Sequence, residues 1–201
     1  MAQRARKTTS RRDLSAQIVD RAVELAADRG WDEVKLRQVA EDLGVPLAEV
    51  YRHHRDLDAV ADAWFTRALQ EMLRPSEPGF ADLPARERLY LVLARWFDAN
   101  GPRRRVVGEM LRTKLHPPHP HHWVPMVFSL SRLIQWLREV ALLEAGGRRR
   151  QVEEVGLTLL FLATLRVWLN DSSEDQDVTR RFLRRRLERA DRWIARCWPS
   201  A

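Results

Sequence analysis

Apolar side chains recur every three or four positions along nearly the whole chain, which is the spacing of an amphipathic α-helix. The first such stripe is made by Leu14, Ile18, Ala22 and Leu25. No run of alternating apolar and polar residues is long enough to predict a strand. Glycine is scarce, with 8 residues among 201, and the abundant residue types favour helices. The pattern therefore predicts an all-α protein with about nine helices.

Glycine and proline divide this pattern into separate helices. In the first third of the chain, helices are expected at 13–29, 36–43 and 47–54, followed by a fourth that Asp56 caps and that ends near residue 74. Further helices are expected at 84–100, 103–114, 123–143, 148–170 and 174–198. The three prolines within residues 116–122 exclude a helix there, because proline lacks an amide proton and clashes with the preceding turn.

Two short helices separated by a glycine stand out in the first third of the chain. Val39, Ala40 and Leu43 would face inward on the first of them, and Gly44 would end it before a second helix of about two turns. This arrangement is typical of the helix-turn-helix, whose second helix enters a DNA major groove about 12 Å wide.

The residues around this turn resemble the DNA-binding domain of the tetracycline-repressor (TetR) family of transcription regulators. The likeness covers residues 28–64 and is carried by Gly30, Trp31, Val39, Ala40, Gly44, Val45 and Tyr51. It implies a ligand-responsive DNA-binding regulator, expected to be a repressor, that acts as a homodimer on a double-stranded DNA operator. Pro46, His54 and Leu57 depart from the Ser, Phe and Lys that are usual in the family.

The resemblance also assigns roles to individual residues of the predicted DNA-binding surface. Gln can bond adenine through two hydrogen bonds, and Glu can accept one from the cytosine amine. Phosphate contacts are expected from Lys35, Tyr51 and His53, base contacts from Gln38, Ala48 and Glu49, and additional positive charge from Arg37, Arg52 and Arg55.

The charge distribution qualifies this prediction. The formal net charge is +7, and residues 1–12 contain five basic residues and no acidic ones. Residues 13–74 contain eight basic and thirteen acidic residues, whereas residues 75–201 contain 22 basic and 15 acidic residues. A DNA-binding protein usually concentrates basic residues where it touches phosphate. A helix-turn-helix kept only as a folding unit is therefore an alternative interpretation.

A second resemblance lies in the C-terminal part. Residues 83–111 and 162–187 are similar to the lipid-binding accessory proteins of coenzyme Q biosynthesis, through a Trp, an Asp-Ser-Ser-x-Asp segment at 171–175, a Thr and a basic amphipathic helix. This likeness implies the alternative function of a lipid- or isoprenoid-binding accessory protein of quinone metabolism with a vestigial helix-turn-helix.

Large side chains of the C-terminal helices are candidates for an effector site, because TetR-like regulators usually bind an apolar inducer there. The effector would be a small apolar molecule or a lipid, and the same side chains could instead simply fill the core. The predicted ligand-binding residues are Trp96, Met110, Trp123, Phe128, Trp136, Phe161 and Trp168.

The last two helices are expected to form the homodimer interface. A two-fold dimer would bury an exposed apolar face and place two recognition helices about 34–36 Å apart. The predicted face contains Leu157, Leu160, Phe161, Thr164, Leu165 and Trp168, with Gly156 and Ala163 allowing close approach. Part of this face could equally be internal core.

Residues 75–84, with three prolines and one glycine, mark a seam between the two parts of the chain. With the fourth helix counted in the C-terminal part, the predicted organisation is a flexible basic arm at 1–12, a helix-turn-helix domain at 13–58, and a ligand-binding and dimerisation domain at 59–201.

Several other classes of function are not expected. No motif for catalysis, phosphate binding or a cofactor is present, so neither an enzyme nor a cofactor is predicted. A zinc site at residues 116–122 is disfavoured because prolines separate its histidines. The lone Cys197 indicates the cytoplasm, and no apolar run predicts stable membrane insertion. The arginine clusters at 103–105, 148–150 and 180–186 are expected to be solvated or compensated by acids such as Glu153, with anionic lipid headgroups as the alternative.

Overall fold

The structure is a computed structural model that describes the backbone of residues 2–114 and 123–197 and the side chains of residues 14–114 and 129–197. Over these residues the chain forms nine α-helices, joined by short 3-10 turns and loops, and no strand. The all-α prediction is confirmed. The helices are α1 (Ala2–Arg29), α2 (Leu36–Asp42), α3 (Leu47–His53), α4 (Leu57–Met72), α5 (Ala85–Asn100), α6 (Arg104–Lys114), α7 (Trp123–Val140), α8 (Gly147–Leu169) and α9 (Asp177–Cys197).

The observed helix bounds lie within about three residues of the predicted ones, with one exception. Helix α1 begins at Ala2, so the segment predicted as an arm at residues 1–12 lies almost entirely within this helix. Residues 2–12 contain neither glycine nor proline, and nothing in their local sequence would end a helix. The histidine-rich segment 116–122 lies outside the described residues.

Contacts between residues divide the chain into two compact units. The N-terminal unit takes in α1, α2, α3, the part of α4 up to Arg67, and α6, whereas the C-terminal unit takes in the end of α4, α5, α7, α8 and α9. Helix α6 thus lies with the N-terminal unit, although the predicted organisation placed it in the second domain. The sequence pattern identifies its apolar face but not its packing partner.

The core of the N-terminal unit explains this placement of α6. Val106 and Met110 on one face of α6 are buried in the same apolar cluster as the inward residues of α1 to α4. Helix α6 also bonds the end of α1 and the turn after it. The Glu109 carboxylate accepts the Trp31 N–H at 2.8 Å, and Arg105 donates to the Ala26 carbonyl at 3.4 Å. The other buried members of the cluster are Ile18, Val19, Ala22, Val23, Leu25, Ala26, Trp31, Val34, Val39, Ala40, Val50, Val60 and Ala61.

The turn between α2 and α3 requires a left-handed residue. Gly44 has φ +64°. Two amides of the turn bond backbone carbonyls of α2: the Gly44 N–H donates to the Glu41 carbonyl at 3.1 Å, and the Val45 N–H donates to the Ala40 carbonyl at 3.0 Å. This pair of bonds is a Schellman motif, which satisfies carbonyls that the helix end would otherwise leave unpaired. The turn fixes the direction in which α3 leaves α2.

Helices α5, α8 and α9 pack together in the C-terminal unit, and α7 packs on α5 and α8. An aromatic cluster joins α5 to α8, with ring centroids of interacting pairs 5.0–6.4 Å apart. Its members are Trp96, Phe97, Phe161 and Trp168, all of them buried. Such edge-to-face and stacked pairs stabilise a core beyond the area that they bury.

The arginines at the start of α8 are compensated by acids one turn further on, as expected for the cluster at 148–150. Arg149 pairs with Glu153 at 3.1 Å and Arg150 pairs with Glu154 at 2.8 Å. Glu153 also binds the buried guanidinium of Arg138 on α7 at 2.6 Å.

None of the described helices is both long enough and apolar enough to cross a membrane.

Asp171 connects α8 to α9 through a set of hydrogen bonds. Its buried carboxylate accepts the Thr179 N–H at 2.8 Å and the Thr179 hydroxyl at 2.6 Å, and also bonds Ser173 through its N–H and its hydroxyl. Burial raises the pKa of this carboxyl, but the hydrogen bonds from Ser173 and Thr179 outweigh burial and lower the pKa from 3.8 to about 2.

We expect the Gly44→Ala substitution to lower the free energy of unfolding by about 1–2 kcal/mol, because an L-residue is strained in the left-handed region. A Cβ at Gly44 would meet no atom within 4 Å, so backbone strain is the dominant cost. Urea denaturation measures this change. Gly44→Asn is the matched control and should lose less, since asparagine tolerates this conformation. Equal losses for the two variants would contradict the assignment.

The lowered pKa of Asp171 predicts a specific dependence of stability on pH. The ionised form contributes stability above the unfolded-state pKa near 3.8, and this contribution disappears as the pH falls toward 2. The Asp171→Asn variant should be less stable than the parent by about 2 kcal/mol at pH 6, with the difference shrinking on acidification. Urea denaturation between pH 6 and pH 2.5 tests this, with exposed Asp175→Asn as control. A pH-independent difference would refute the prediction.

Candidate nucleic-acid interface

One side of helix α3 packs in the protein core, and the other side is exposed to solvent. Val50 is 0% exposed and lies in the core of the N-terminal unit, whereas Tyr51 is 67% exposed. Leu47, Ala48 and Arg52 are also exposed. A helix of seven residues with one buried side chain presents most of its surface outward, which a helix that enters a major groove requires.

Helix α2 braces α3 and contributes polar residues near its own start. Val39 and Ala40 are buried, while Lys35, which precedes α2, and Arg37 are exposed. Gln38 is half-buried, and its side-chain oxygen accepts a hydrogen bond from Arg29 at 2.9 Å. Arg29 therefore orients Gln38, a predicted base-contacting residue. The sequence analysis did not identify this role of Arg29.

The arginines expected at the interface are paired with nearby carboxylates. Arg37 pairs with Glu41 at 3.0 Å, and Arg55 contacts the adjacent Asp56 at 3.3 Å. Arg52 pairs with Glu49, another predicted base-contacting residue. Exposed ion pairs of this kind contribute at most about 1 kcal/mol, so phosphate could replace the carboxylate at little cost. The remaining predicted contact, His53, is half-buried at the end of α3.

The three departures from the usual family residues have structural roles. His54 is buried, and its Nε2 lies 3.0 Å from the Ser15 hydroxyl and 3.3 Å from the Ser15 carbonyl, so it ties the end of α3 to α1. Leu57 packs against the apolar cluster of the N-terminal unit. The Pro46 carbonyl accepts the Glu49 N–H at 2.8 Å at the start of α3. The helix-turn-helix geometry is preserved despite these changes.

The predicted effector residues do not all lie together. Trp96, Phe161 and Trp168 share the aromatic cluster of the C-terminal unit, whereas Met110 is in the core of the N-terminal unit. Trp136 on α7 is 46% exposed. The side chains of Trp123 and Phe128 lie outside the described residues. No cluster of three or more potential metal ligands occurs among the side chains that the structure describes.

The apolar face predicted for dimerisation is largely internal. Leu157, Phe161, Thr164 and Trp168 are buried within the chain. The opposite side of α8 carries a separate exposed stripe, which we call the α8 seam and define as Val152, Val155, Leu159, Leu162, Arg166 and Leu169. These residues alternate three and four positions apart, which is the spacing that pairs helices in coiled coils.

Comparison with known proteins agrees with this geometry. Residues 18–63, from within α1 to within α4, match the model of the bacterial regulatory proteins of the tetR family. Residues 155–193, from α8 into α9, match the COQ9 family model. Among curated proteins, none matches the sequence at a significant level.

Solved structures extend the likeness over most of the chain. A TetR transcriptional regulator from Nitrosomonas europaea ATCC 19718 shares 39% identity, with 89% of this chain and 98% of that chain covered and a TM-score of 0.80. A TetR transcriptional regulator from Rhodococcus sp. RHA1 shares the fold at 19% identity, with coverage of 90% and 94% and a TM-score of 0.63. The multidrug binding protein EbrR, complexed with imidazole, does so at 20% identity, with coverage of 87% and 89% and a TM-score of 0.58. The chain belongs to the TetR family of bacterial transcriptional regulators.

Proposed function

We propose that this TetR-family protein is a repressor that binds its operator as a homodimer and releases it when an apolar effector binds the C-terminal unit. The observation that carries the proposal is the exposed outer face of α3, set on a buried Val50 and oriented by the Gly44 turn. A helix with this exposed face fits a major groove. Its buried face packs in the apolar core of the N-terminal unit.

The DNA contacts that we propose follow from the exposed side chains. Tyr51 and Arg52 stand on the outer face of α3, where a hydroxyl and a guanidinium can bond phosphate oxygens. Gln38, held by Arg29, and Glu49 are positioned on α2 and α3 as candidates for base contacts. Lys35, Arg37, Ala48, His53 and Arg55 complete the proposed contact set.

Dimerisation is proposed to use the α8 seam and the adjoining side of α9. Val155 and Leu159 are each more than 60% exposed, and Trp193 on α9 is 50% exposed. Gly156 lies beside the seam, and a Cβ there would meet no atom within 4 Å, so a second helix could approach closely. Pairing this face with a second copy would remove from water an apolar stripe that a monomer would leave exposed.

A route from effector to DNA is suggested by the position of α6. The chain passes from α5, which carries Trp96, through a short turn directly into α6, whose Glu109 and Thr113 bond the Trp31 N–H and the Asp32 carboxylate. We propose that a shift of α5 is passed along the chain to α6 and alters the bonds that Glu109 and Thr113 make. If the effector and the operator favour different positions of α6, each weakens the binding of the other by the same factor.

The match of residues 155–193 to the COQ9 model supports a second candidate, a lipid- or isoprenoid-binding accessory protein with a helix-turn-helix kept for folding. A mobility-shift assay with the DNA that flanks its own gene separates the two. Specific, salt-dependent binding supports the repressor. Absence of binding, together with an isoprenoid or phospholipid that co-purifies with the protein, supports the accessory protein.

For the repressor, we expect Arg52→Ala to weaken operator binding and to reduce the slope of log K against log salt concentration by about one, because one phosphate contact is lost. Tyr51→Phe removes only a hydroxyl and should weaken binding about tenfold if that hydroxyl bonds phosphate. Fluorescence anisotropy at 50–200 mM salt measures both effects. Arg74→Ala is the matched control, because Arg74 is exposed and pairs with Glu71 as Arg52 pairs with Glu49. Arg74 lies outside the proposed DNA-contacting and dimerisation residues, so its loss should leave affinity and slope unchanged.

The proposed dimer predicts that Leu159→Glu converts the protein to a monomer of 23.6 kDa, because it places a charge in the centre of the α8 seam. Light scattering after size-exclusion chromatography measures the mass, and operator affinity should fall with it. Leu91→Glu, at an exposed leucine of α5 outside the seam, is the control and should stay dimeric. A Leu159→Glu variant that keeps the parent mass would rule out this interface.

A further inference from the structure

One buried polar side-chain atom among the described residues of the C-terminal unit has no hydrogen-bond partner. Trp96 is 3% exposed, and among the described side chains of this unit its Nε1 is the one buried nitrogen or oxygen that lacks a hydrogen bond. Buried donors in folded proteins nearly always have an acceptor, because an unmade bond leaves the cost of removing the group from water uncompensated. The unpaired indole N–H therefore requires an explanation.

The surrounding polar groups are satisfied, so the unit is not generally short of acceptors. The Trp168 indole N–H donates to Gln176, the Asn100 amide donates to the Trp96 carbonyl at 2.8 Å, and the Thr164 hydroxyl donates to Leu160 at 2.8 Å. Trp168 lies in the same aromatic cluster as Trp96, with ring centroids 6.4 Å apart. The two tryptophans thus form a matched pair in which only one N–H is unpaired.

The environment of this N–H restricts what could pair with it. The ring centroid of Trp96 lies 5.1 Å from that of Phe97 and 5.0 Å from that of Phe161, and neither of these side chains offers an acceptor. A carboxylate or phosphate placed against these rings would lose its hydration, and the apolar rings would not replace it, which is very unfavourable. A neutral oxygen on a flat, apolar molecule satisfies the N–H and matches the aromatic surroundings.

We infer that the Trp96 indole N–H is the polar anchor of the effector site, and that the effector is a neutral, largely apolar molecule whose carbonyl oxygen accepts this hydrogen bond. The inference rests on the proposed effector site in the C-terminal unit and assigns its chemical selectivity. Trp96 selects among apolar molecules, since those without an acceptor leave the indole unpaired. The rings of Phe97, Phe161 and Trp168 supply contact area but no such selection.

Two nearly isosteric probes test this selectivity with the full-length protein. 2-Acetylnaphthalene carries a carbonyl oxygen, and 2-isopropenylnaphthalene has a CH2 group in its place. Equilibrium dialysis should show that the protein binds the acetyl probe about 2- to 10-fold more tightly, the contribution of one net hydrogen bond. Trp96→Phe keeps an aromatic ring but removes the donor, and should bind the two probes equally. Trp168→Phe should retain the preference.

A second measurement needs no variant. In 15N-labelled protein, the indole N–H resonance of Trp96, assigned by through-bond correlations, should move downfield when the acetyl probe binds, and the isopropenyl probe should not produce this shift. The Trp168 resonance, already hydrogen-bonded, should show no comparable downfield shift. This readout holds even if Trp96→Phe fails to fold.

The inference is overturned if neither probe binds, if the wild-type protein binds both equally, or if Trp96→Phe keeps the preference. Operator binding by the same preparation is measured separately. A protein that binds operator but shows any of these three results retains its proposed function as a DNA-binding repressor and loses only the assignment of Trp96. A protein that prefers the acetyl probe but binds no operator leaves the assignment standing and contradicts the repressor.

Discussion

The burial of Val50 in the core beneath α3 is the contact on which the DNA-binding surface depends. An isolated helix of seven residues does not form in water, because the cost of its first turn exceeds what so few hydrogen bonds return. Helix α3 exists because Val50 packs on α1 and α2, with His54 bonded to Ser15 at its far end. Tyr51 and Arg52 point outward because Val50 and His54 fix the orientation of α3 on the core.

Helix α6 extends the same core toward the end of α1. Met110 and Val106 fill the cluster from one side, and Glu109 satisfies the Trp31 amide that begins the turn after α1. If an effector acts through α6 as proposed, it acts on a segment whose contacts also stabilise the N-terminal unit. Met110, which the sequence analysis predicted as an effector-binding residue, instead fills this core.

The local features of the fold were predictable from the sequence, and the long-range ones were not. Helix bounds follow from glycine, proline and apolar spacing, and the Gly44 turn was visible as a glycine between two short apolar patterns. Helix α8 illustrates the limit. One side carries Leu157, Phe161 and Trp168 and the other carries Val155, Leu159 and Leu162, so periodicity alone could not say which side faced the core. The Arg29–Gln38 and Ser15–His54 bonds join residues whose proximity exists only after folding.

The order of the helices along the chain constrains how this protein can be cut or recombined. The N-terminal unit is discontinuous, since its last helix returns after α5 has been completed in the other unit. A fragment that stops after α4 would lack Val106, Met110 and Glu109, leaving an open apolar hole and an unpaired Trp31 amide at its base. A chimera that joins this operator-binding unit to a foreign sensor would have to carry α6 along with it, with a second junction after that helix.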